Sequence, residues 1–485
     1  MSHKTYLGHK GYSVYKDSLS LKEQVFIREE LTVKPYMPKS PVQATAYPIY
    51  RESPKKFYMP RFFGVSTFGL PNEIRIGVST PINLTFQGAL RDRQAFIVEK
   101  YMNYIKEDFG GLLDIYCGFG KTVLALKILT LIGLKTLIIV HKEFLMNQWE
   151  ERIQQFIPNA RIGHIQGQTI DIEDKDIVIG MLQSLSMKEY PEDQFAEFGL
   201  TIVDEVHHIS AEIFVRSLQK IVTRHTLGLS ATMHRKDGLS KVFKMFLGEI
   251  IHKEKREQDT VVTIKAIEYK VNDEDFNTME YDYRGNPKYS TMISKLCTFN
   301  PRTEYILHIL TNELKLNAKQ QIIVLAHNKN LLVYLFKAIE HRKIASVGYY
   351  IGGMKEKDLK LSEGKQIIIA TYSMAAEALD IKTLTTLVLA TPKTDVEQAV
   401  GRILRVKDNN PLIIDIIDQH VIFKNQWAKR RTFYHKNNYK IVQTPDYKSD
   451  KWNDVNKKSR KQIEKEISAV DLPLNKCMIS TALLT

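Results

Sequence analysis

The sequence predicts an α/β fold. We expect two tandem, doubly wound parallel sheets, a small N-terminal accessory domain and a basic C-terminal extension. Three observations predict it. From about residue 110, short Ile, Leu and Val runs recur without polar alternation, as suits strands covered on both faces. Helical stretches separate these runs, as crossovers between parallel strands require. The rhythm also falls into two blocks with a polar segment between them.

The expected elements follow in chain order. Residues 1–80 carry scattered prolines and many tyrosines but no strong helical period, and read as the accessory domain. The first sheet domain spans 81–255, with strands in "GLLDIY" (111–116), "TLIIV" (136–140), "DIVIG" (176–180), "LTIVD" (200–204) and "TLGLS" (226–230). The polar segment near 252–300, with "NDEDFNTMEYDYRGNPKYS", is rich in turn formers and reads as a connector or small insertion. It belongs with the second sheet domain, 256–424. That domain has strands in "QIIVLA" (321–326), "QIIIAT" (366–371), "TLVLAT" (386–391) and "LIIDII" (412–417). Residues 425–485 form the extension. From Lys424 to Lys465 there are 13 basic residues against four acidic, interleaved with Trp427, Phe433, Tyr434, Tyr439, Tyr447 and Trp452. Cations among rings fit a nucleic-acid contact, in which charge neutralises phosphates and rings stack on bases. The plainer readings are a solvated tail, or rings packed against the second domain.

Composition narrows the classes. The 485 residues are 44% hydrophobic and 26% charged, ordinary for a globular protein. A net charge of +14 points to a polyanionic partner, nucleic acid first. Cys117, Cys297 and Cys477 lie far apart, so neither a zinc motif nor a disulfide framework is visible, and a reducing, intracellular compartment fits. The polar start "MSHKTYLGHK" is no secretory signal. The longest apolar run, 122–134, is too short to cross a bilayer. A soluble protein without a membrane partner is expected.

The chemistry starts at "IYCGFGKT", 115–122. It is almost a phosphate-binding loop, with Ile115 standing where the usual pattern has its first glycine. It follows a strand and opens a helix, the required context. Gly118 and Gly120 would let backbone amides turn toward phosphate oxygens, and the helix dipole would add to their pull. Lys121 would reach the β- and γ-phosphates of ATP, and the Thr122 hydroxyl would ligate Mg2+. "IVDEVHH", 202–208, ends another strand in two carboxylates. Asp204 would hold magnesium and Glu205 would orient and deprotonate the attacking water. The pair with His207 also imitates a metal site, though no further ligand pattern supports zinc. A third strand end carries Ser230, Ala231 and Thr232. In the second block, "EQAVGRILR" puts Gln398, Arg402 and Arg405 on a helix, with the arginines three apart on one side. They would stabilise charge on the transferred phosphoryl group.

In that order, "CGFGKT", "DEVH", "SAT" and "QAVGRILR" resemble the superfamily 2 helicases of the DExH kind. The resemblance covers about residues 85–420 and implies two RecA-like domains with ATP between them. It extends the nucleotide contacts to Cys117 and Phe119 in the loop, and makes Gln94, in "LRDRQ", an adenine reader. "VHKEFLMNQW" (140–149) and "MLQSL" (181–185) resemble strand-contact blocks, which assigns Gln183 and Ser184 to nucleic acid. "YYIGGM" (349–354) does the same for Gly353. "ATYSMAAEALDI" (370–381) assigns Thr371 to the strand and Asp380 to the nucleotide. His207, Ser230 and Thr232 become coupling residues. The fuller pattern looks most like the XPB-like branch, and within it the transcript-release DNA helicases of large cytoplasmic DNA viruses, poxviruses included. Phage recombination helicases are the near alternative. This implies a monomeric 3′–5′ motor on DNA, with an RNA helicase or a non-hydrolysing transcription subunit as alternatives. RNA polymerase or transcription factors would be its partners, and host cytoplasm its place. His141-Lys142 and Ala378 depart from the pattern without removing a catalytic group.

Overall fold

The computed structural model describes residues 3–36, 44–116, 118–206, 211–231, 233, 237–254, 261–377, 381–404, 411–449 and 451–455. The chain divides into two compact units, Met1–Arg256 and Glu257–Thr485.

In the first unit, short antiparallel pairings build an N-terminal sheet from β1 (Thr5–Gly8), β2 (Gly11–Tyr15), β3 (Arg51–Glu52), β4 (Lys56–Met59) and β5 (Glu73–Ile74), ordered β3-β4-β2-β1-β5. Only the β1–β5 pair is parallel. After α1 (Asp92–Asp108) comes the large sheet. It contains β6 (Gly110–Ile115), β7 (Thr136–Val140), β8 (Ile162–Gln166), β9 (Ile177–Met181), β10 (Leu200–Val203), β11 (His225–Ser230) and β12 (Ile250–Glu254). Their order is β8-β9-β7-β10-β11-β6-β12, all parallel, with Thr169–Ile170 antiparallel at the β8 edge. Helices α2 (Lys121–Ile132), α3 (Glu143–Phe156) and α4 (Leu182–Met187) follow β6, β7 and β9.

Successive strand residues point to opposite faces, and both faces are covered. Leu112, Leu137, Ile139, Val178 and Val203 pack on one side, with Tyr12, Val14, Phe57 and Phe63 of the N-terminal region in the same cluster. Leu113, Ile115, Ile138, Val140 and Ile202 pack on the other side, beneath α1, α2 and α3. Residues 1–80 thus form their own sheet but share a core with the first large sheet.

The second unit orders its strands β15-β16-β14-β17-β18-β13-β19. In chain order these are β13 (Thr263–Tyr269), β14 (Ile322–Ala326), β15 (Val347–Tyr350), β16 (Ile367–Thr371), β17 (Thr386–Leu389), β18 (Leu412–Asp418) and β19 (Lys440–Thr444). All are parallel, and Asn453–Asp454 adds an antiparallel edge. Its helices include α5 (Tyr289–Thr298), α6 (Asn300–Leu316), α7 (Tyr372–Glu377), α8 (Glu397–Ile403) and α9 (Val421–Lys436).

Two expectations change here. The connector supplies an interior strand, β13, between β18 and β19. The start of the basic extension is core. The stripe Phe423, Trp427, Arg430 and Tyr434 on α9 is buried, and Tyr447 is buried with its hydroxyl donating to Glu313 Oε1 at 3.0 Å. Helical spacing of four and three residues gathers these side chains on one face. Trp427, Tyr434 and Tyr447 are therefore packing residues, not base-stacking ones. The residues beyond 455 lie outside the described residues.

Candidate active site

Strand β6 delivers the phosphate-type loop. Ile115 is its last residue, fully buried in the core under α2, so its side chain stays away from the loop. That accounts for an isoleucine where the pattern has glycine. Gly118 and Gly120 have φ of 87° and 102°, backbone that side chains rarely tolerate. Gly120 caps α2, and a β-carbon there would meet Gln94 Nε2 at 2.7 Å. The loop is held from α1. Gln94 is buried, its Nε2 donates to Phe119 O at 2.9 Å, and its Oε1 accepts Arg91 N at 3.1 Å. The Arg91 guanidinium donates to the same Phe119 carbonyl and lies 5.1 Å from the Phe119 ring. A carboxamide offers two donors and two lone pairs. Among the described residues, one of each remains on Gln94.

The carboxylates come from β10. Asp204 is buried, with Oδ1 accepting Glu205 N and Oδ2 accepting Trp149 Nε1, both at 2.9 Å. Glu205 adopts φ of 48°, a left-handed conformation that costs energy in a non-glycine residue. From there its Oε1 lies 2.6 Å from Lys121 Nζ, so one ammonium bridges loop and carboxylate. Burial, then the Glu205 charge, raises the Asp204 pKa above its ordinary value, and Lys121 opposes them. Strands β10, β11 and β6 are adjacent and parallel, so their carboxyl ends share one edge. Ser230 ends β11 there, fully buried.

Other expected residues sit elsewhere. Gln183 and Ser184 are on α4. Gln183 Nε2 donates to His141 O at 3.1 Å, and Ser184 Oγ accepts Gly167 N at 3.0 Å. In the second unit Gly353 has φ of 91° with open space around it, and Thr371 Oγ1 lies 3.3 Å from Ser373 Oγ at the end of β16. Gln398 and Arg402 are one turn apart on α8. Cys117, His207, Thr232, Asp380 and Arg405 lie outside the described residues. Sequence reasoning put Trp149 in a strand-contact block and Arg91 beside the adenine reader, but gave neither a role at the carboxylates or the loop. A buried indole N–H needs an acceptor, and that was the available signal for Trp149.

The donor set fits a nucleoside triphosphate with magnesium. The loop is a cradle that a β-carbon would fill, and a lysine and a helix N-terminus face it. Magnesium bound with phosphates needs only one or two protein ligands, which the Thr122 hydroxyl and the Asp204 carboxylate can supply.

Residues 87–235 match the family "Type III restriction enzyme, res subunit". An Acanthamoeba polyphaga mimivirus protein named "Putative ATP-dependent RNA helicase L396" is 32% identical over 497 residues, covering 99% of this chain and 95% of its own. The chain belongs to the superfamily 2 helicases. As a helicase it is a nucleic-acid-dependent ATPase. "Putative helicase 161L" of Invertebrate iridescent virus 6 is 26% identical over 385 residues, covering 74% of this helicase and 85% of its own chain. The Saccharomyces cerevisiae Dbp5 structure bound to RNA and ADP BeF3 aligns with a TM-score of 0.52 at 12% identity. It covers 77% of the helicase and 93% of its own chain, a likeness of fold. No helix among the described residues is long and apolar enough to cross a membrane.

Proposed function

We propose that this helicase is an ATP-driven motor on DNA, moving 3′ to 5′ in viral-type transcript release or fork remodelling. The observation that carries the hydrolytic part is the 2.6 Å Lys121–Glu205 contact, with Asp204 immediately before Glu205 in the chain. In this reading the loop amides and Lys121 hold the β- and γ-phosphates, and Glu205 orients and deprotonates the attacking water. Thr122 and Asp204 would hold magnesium, which would supply charge neutralisation on the phosphate oxygens. The remaining donor and acceptor of Gln94 are left for adenine. Gln398 and Arg402 of the second unit, with Arg405, stabilise the transition-state charge. Gln183, Ser184, Gly353 and Thr371 touch the strand, and each unit's grip alternates with the nucleotide cycle.

The DNA track rests on the resemblance in "CGFGKT", "SATMHRKDG" and "GRILR". RNA is the second reading, favoured by the name of the mimivirus relative. ATPase rates with single-stranded DNA, duplex DNA and RNA as separate activators test the choice. Stimulation by DNA well above that by RNA is expected, and the reverse order would give the track to RNA.

A further inference from the structure

Four consecutive carbonyls leave the end of β17, and each accepts a hydrogen bond from a different side chain. Ala390 O takes Arg302 Nη1 at 2.8 Å, Thr391 O takes the Tyr372 hydroxyl, Pro392 O takes the Tyr289 hydroxyl at 3.1 Å, and Lys393 O takes Arg430 Nη1 at 2.8 Å. The donors come from α6, α7, α5 and α9. The Thr391 side chain is tied too, its Oγ1 accepting His327 N at 3.0 Å.

The donors are themselves fixed. Arg302 is fully buried and forks onto Asp418 at 2.6 and 2.8 Å. Arg430, also fully buried, forks onto Asp415 at 2.7 and 2.8 Å, and Tyr434 donates to Asp415 Oδ2 at 2.9 Å. Burial works against the Arg430 charge, but Asp415 outweighs it and holds the guanidinium above its ordinary value. Both carboxylates stand on β18, the strand beside β17.

Backbone carbonyls past a strand end commonly turn to turns or water. Here four side chains take them, each a directional contact to a group that cannot swing far. Four residues after Lys393 the chain enters α8, which packs on α7 and β17 and carries Gln398 and Arg402. A seven-residue helix has little stability of its own, so its entry point governs where it lies.

We propose that this row of tied carbonyls is the positioning device for α8, with Tyr289 and Tyr372 as positioning residues for hydrolysis. Two segments the sequence left as connector and tail, through Tyr289 and Arg430, serve one end. Their donors set the path of 390–393, and that path sets where Arg402 is presented. The inference rests on the reading that Arg402 acts in hydrolysis.

The test removes two hydroxyls and nothing else, in the full chain, as Tyr289→Phe/Tyr372→Phe. Nucleic-acid-stimulated kcat should fall about 10-fold, while the KM for ATP and the affinity for nucleic acid stay within about 2-fold. Arg402→Ala should cost about 100-fold or more. The tyrosine changes added to Arg402→Ala should lower the remaining rate by less than about 2-fold, because one route is already lost. An unchanged kcat in the tyrosine pair, beside a crippled Arg402→Ala, overturns the positioning device alone. A full further drop on the Arg402→Ala background also overturns it, as does a loss that merely follows the folded fraction read by circular dichroism. Arg402→Ala at the parental rate removes the reading of Arg402, and with it the object being positioned.

Discussion

The two units finish their strands in opposite ways. In the first, β6 runs into a loop whose glycines at φ 87° and 102° let it bend, and β10 runs into Asp204 and a left-handed Glu205. These ends carry positive-φ backbone and charge. In the second, β17 runs into four carbonyls bonded to side chains, two of them buried arginines forked onto Asp415 and Asp418. A loop that must take phosphates needs amide donors and an adjustable cation. A segment that must hold a helix in place needs its acceptors occupied by rigid neighbours. Substitutions in the first kind of end should therefore cost turnover with little loss of stability, while breaking the buried ion pairs behind the second kind should cost stability.

The largest effect tests the first half of that contrast. Lys121→Ala removes the ammonium shared by loop and Glu205, and ATP turnover should drop by about 10²–10³-fold. The thermal midpoint should move by only a few degrees: the pair is mostly buried, but Asp204, whose pKa is already raised, can take up a proton once the ammonium is gone. A collapse of the midpoint would break the comparison, because the end would then be structural.

Asp418→Asn tests the second half. It leaves Arg302 buried without a counter-ion, which costs about 3–5 kcal/mol. Denaturant unfolding should show the loss in the second unit's transition. A variant as stable as the parent would show that the forked pairs are not what secures this end.

Much of this was legible in advance. The uninterrupted apolar runs placed nine strands, because parallel strands buried on both faces leave no other pattern. The loop and the Asp204–Glu205 pair were legible because phosphate chemistry demands small residues and charge at fixed places. β13 was not, since Lys265 and Glu268 break its apolar run and Lys265 reaches Glu313 at 2.6 Å. Nor was α9, whose buried stripe is diluted by exposed lysines until its period looks like a tail. The short N-terminal strands, two to five residues each, depend on tertiary partners more than on local preference.

A smaller effect sharpens the comparison from inside the first unit, where one carboxylate is tied. Trp149→Phe keeps an aromatic ring in the core but deletes the 2.9 Å donor to Asp204 Oδ2. We expect kcat to fall about 10-fold and the magnesium needed for half-maximal rate to rise. Unchanged magnesium dependence would mean that the indole only packs.

The smallest effect depends on pH. Burial, then the charges of Arg224 and Arg61, holds the His225 pKa at about 4 against an ordinary 6.5. The unfolded chain takes up the proton first, so the stabilisation is complete above about pH 6.5 and lost as pH falls toward 4. At pH 5 the loss is about 1–2 kcal/mol, allowing for partial exposure. His225→Asn should flatten the fall in thermal midpoint between pH 7 and 5, and parallel profiles would remove His225 as the cause.

The placing of β13 has a consequence for how the chain is made. This strand leaves the ribosome early in the second unit, yet its neighbours β18 and β19 are encoded about 150 residues or more downstream. At about 5–20 residues per second, β13 waits roughly 10–30 s with both edges bare. An unpaired strand is a template for the wrong partner. Chains ending after β13 but before residue 412 would never receive the right one, so premature termination between those points should yield aggregate, not a shortened motor.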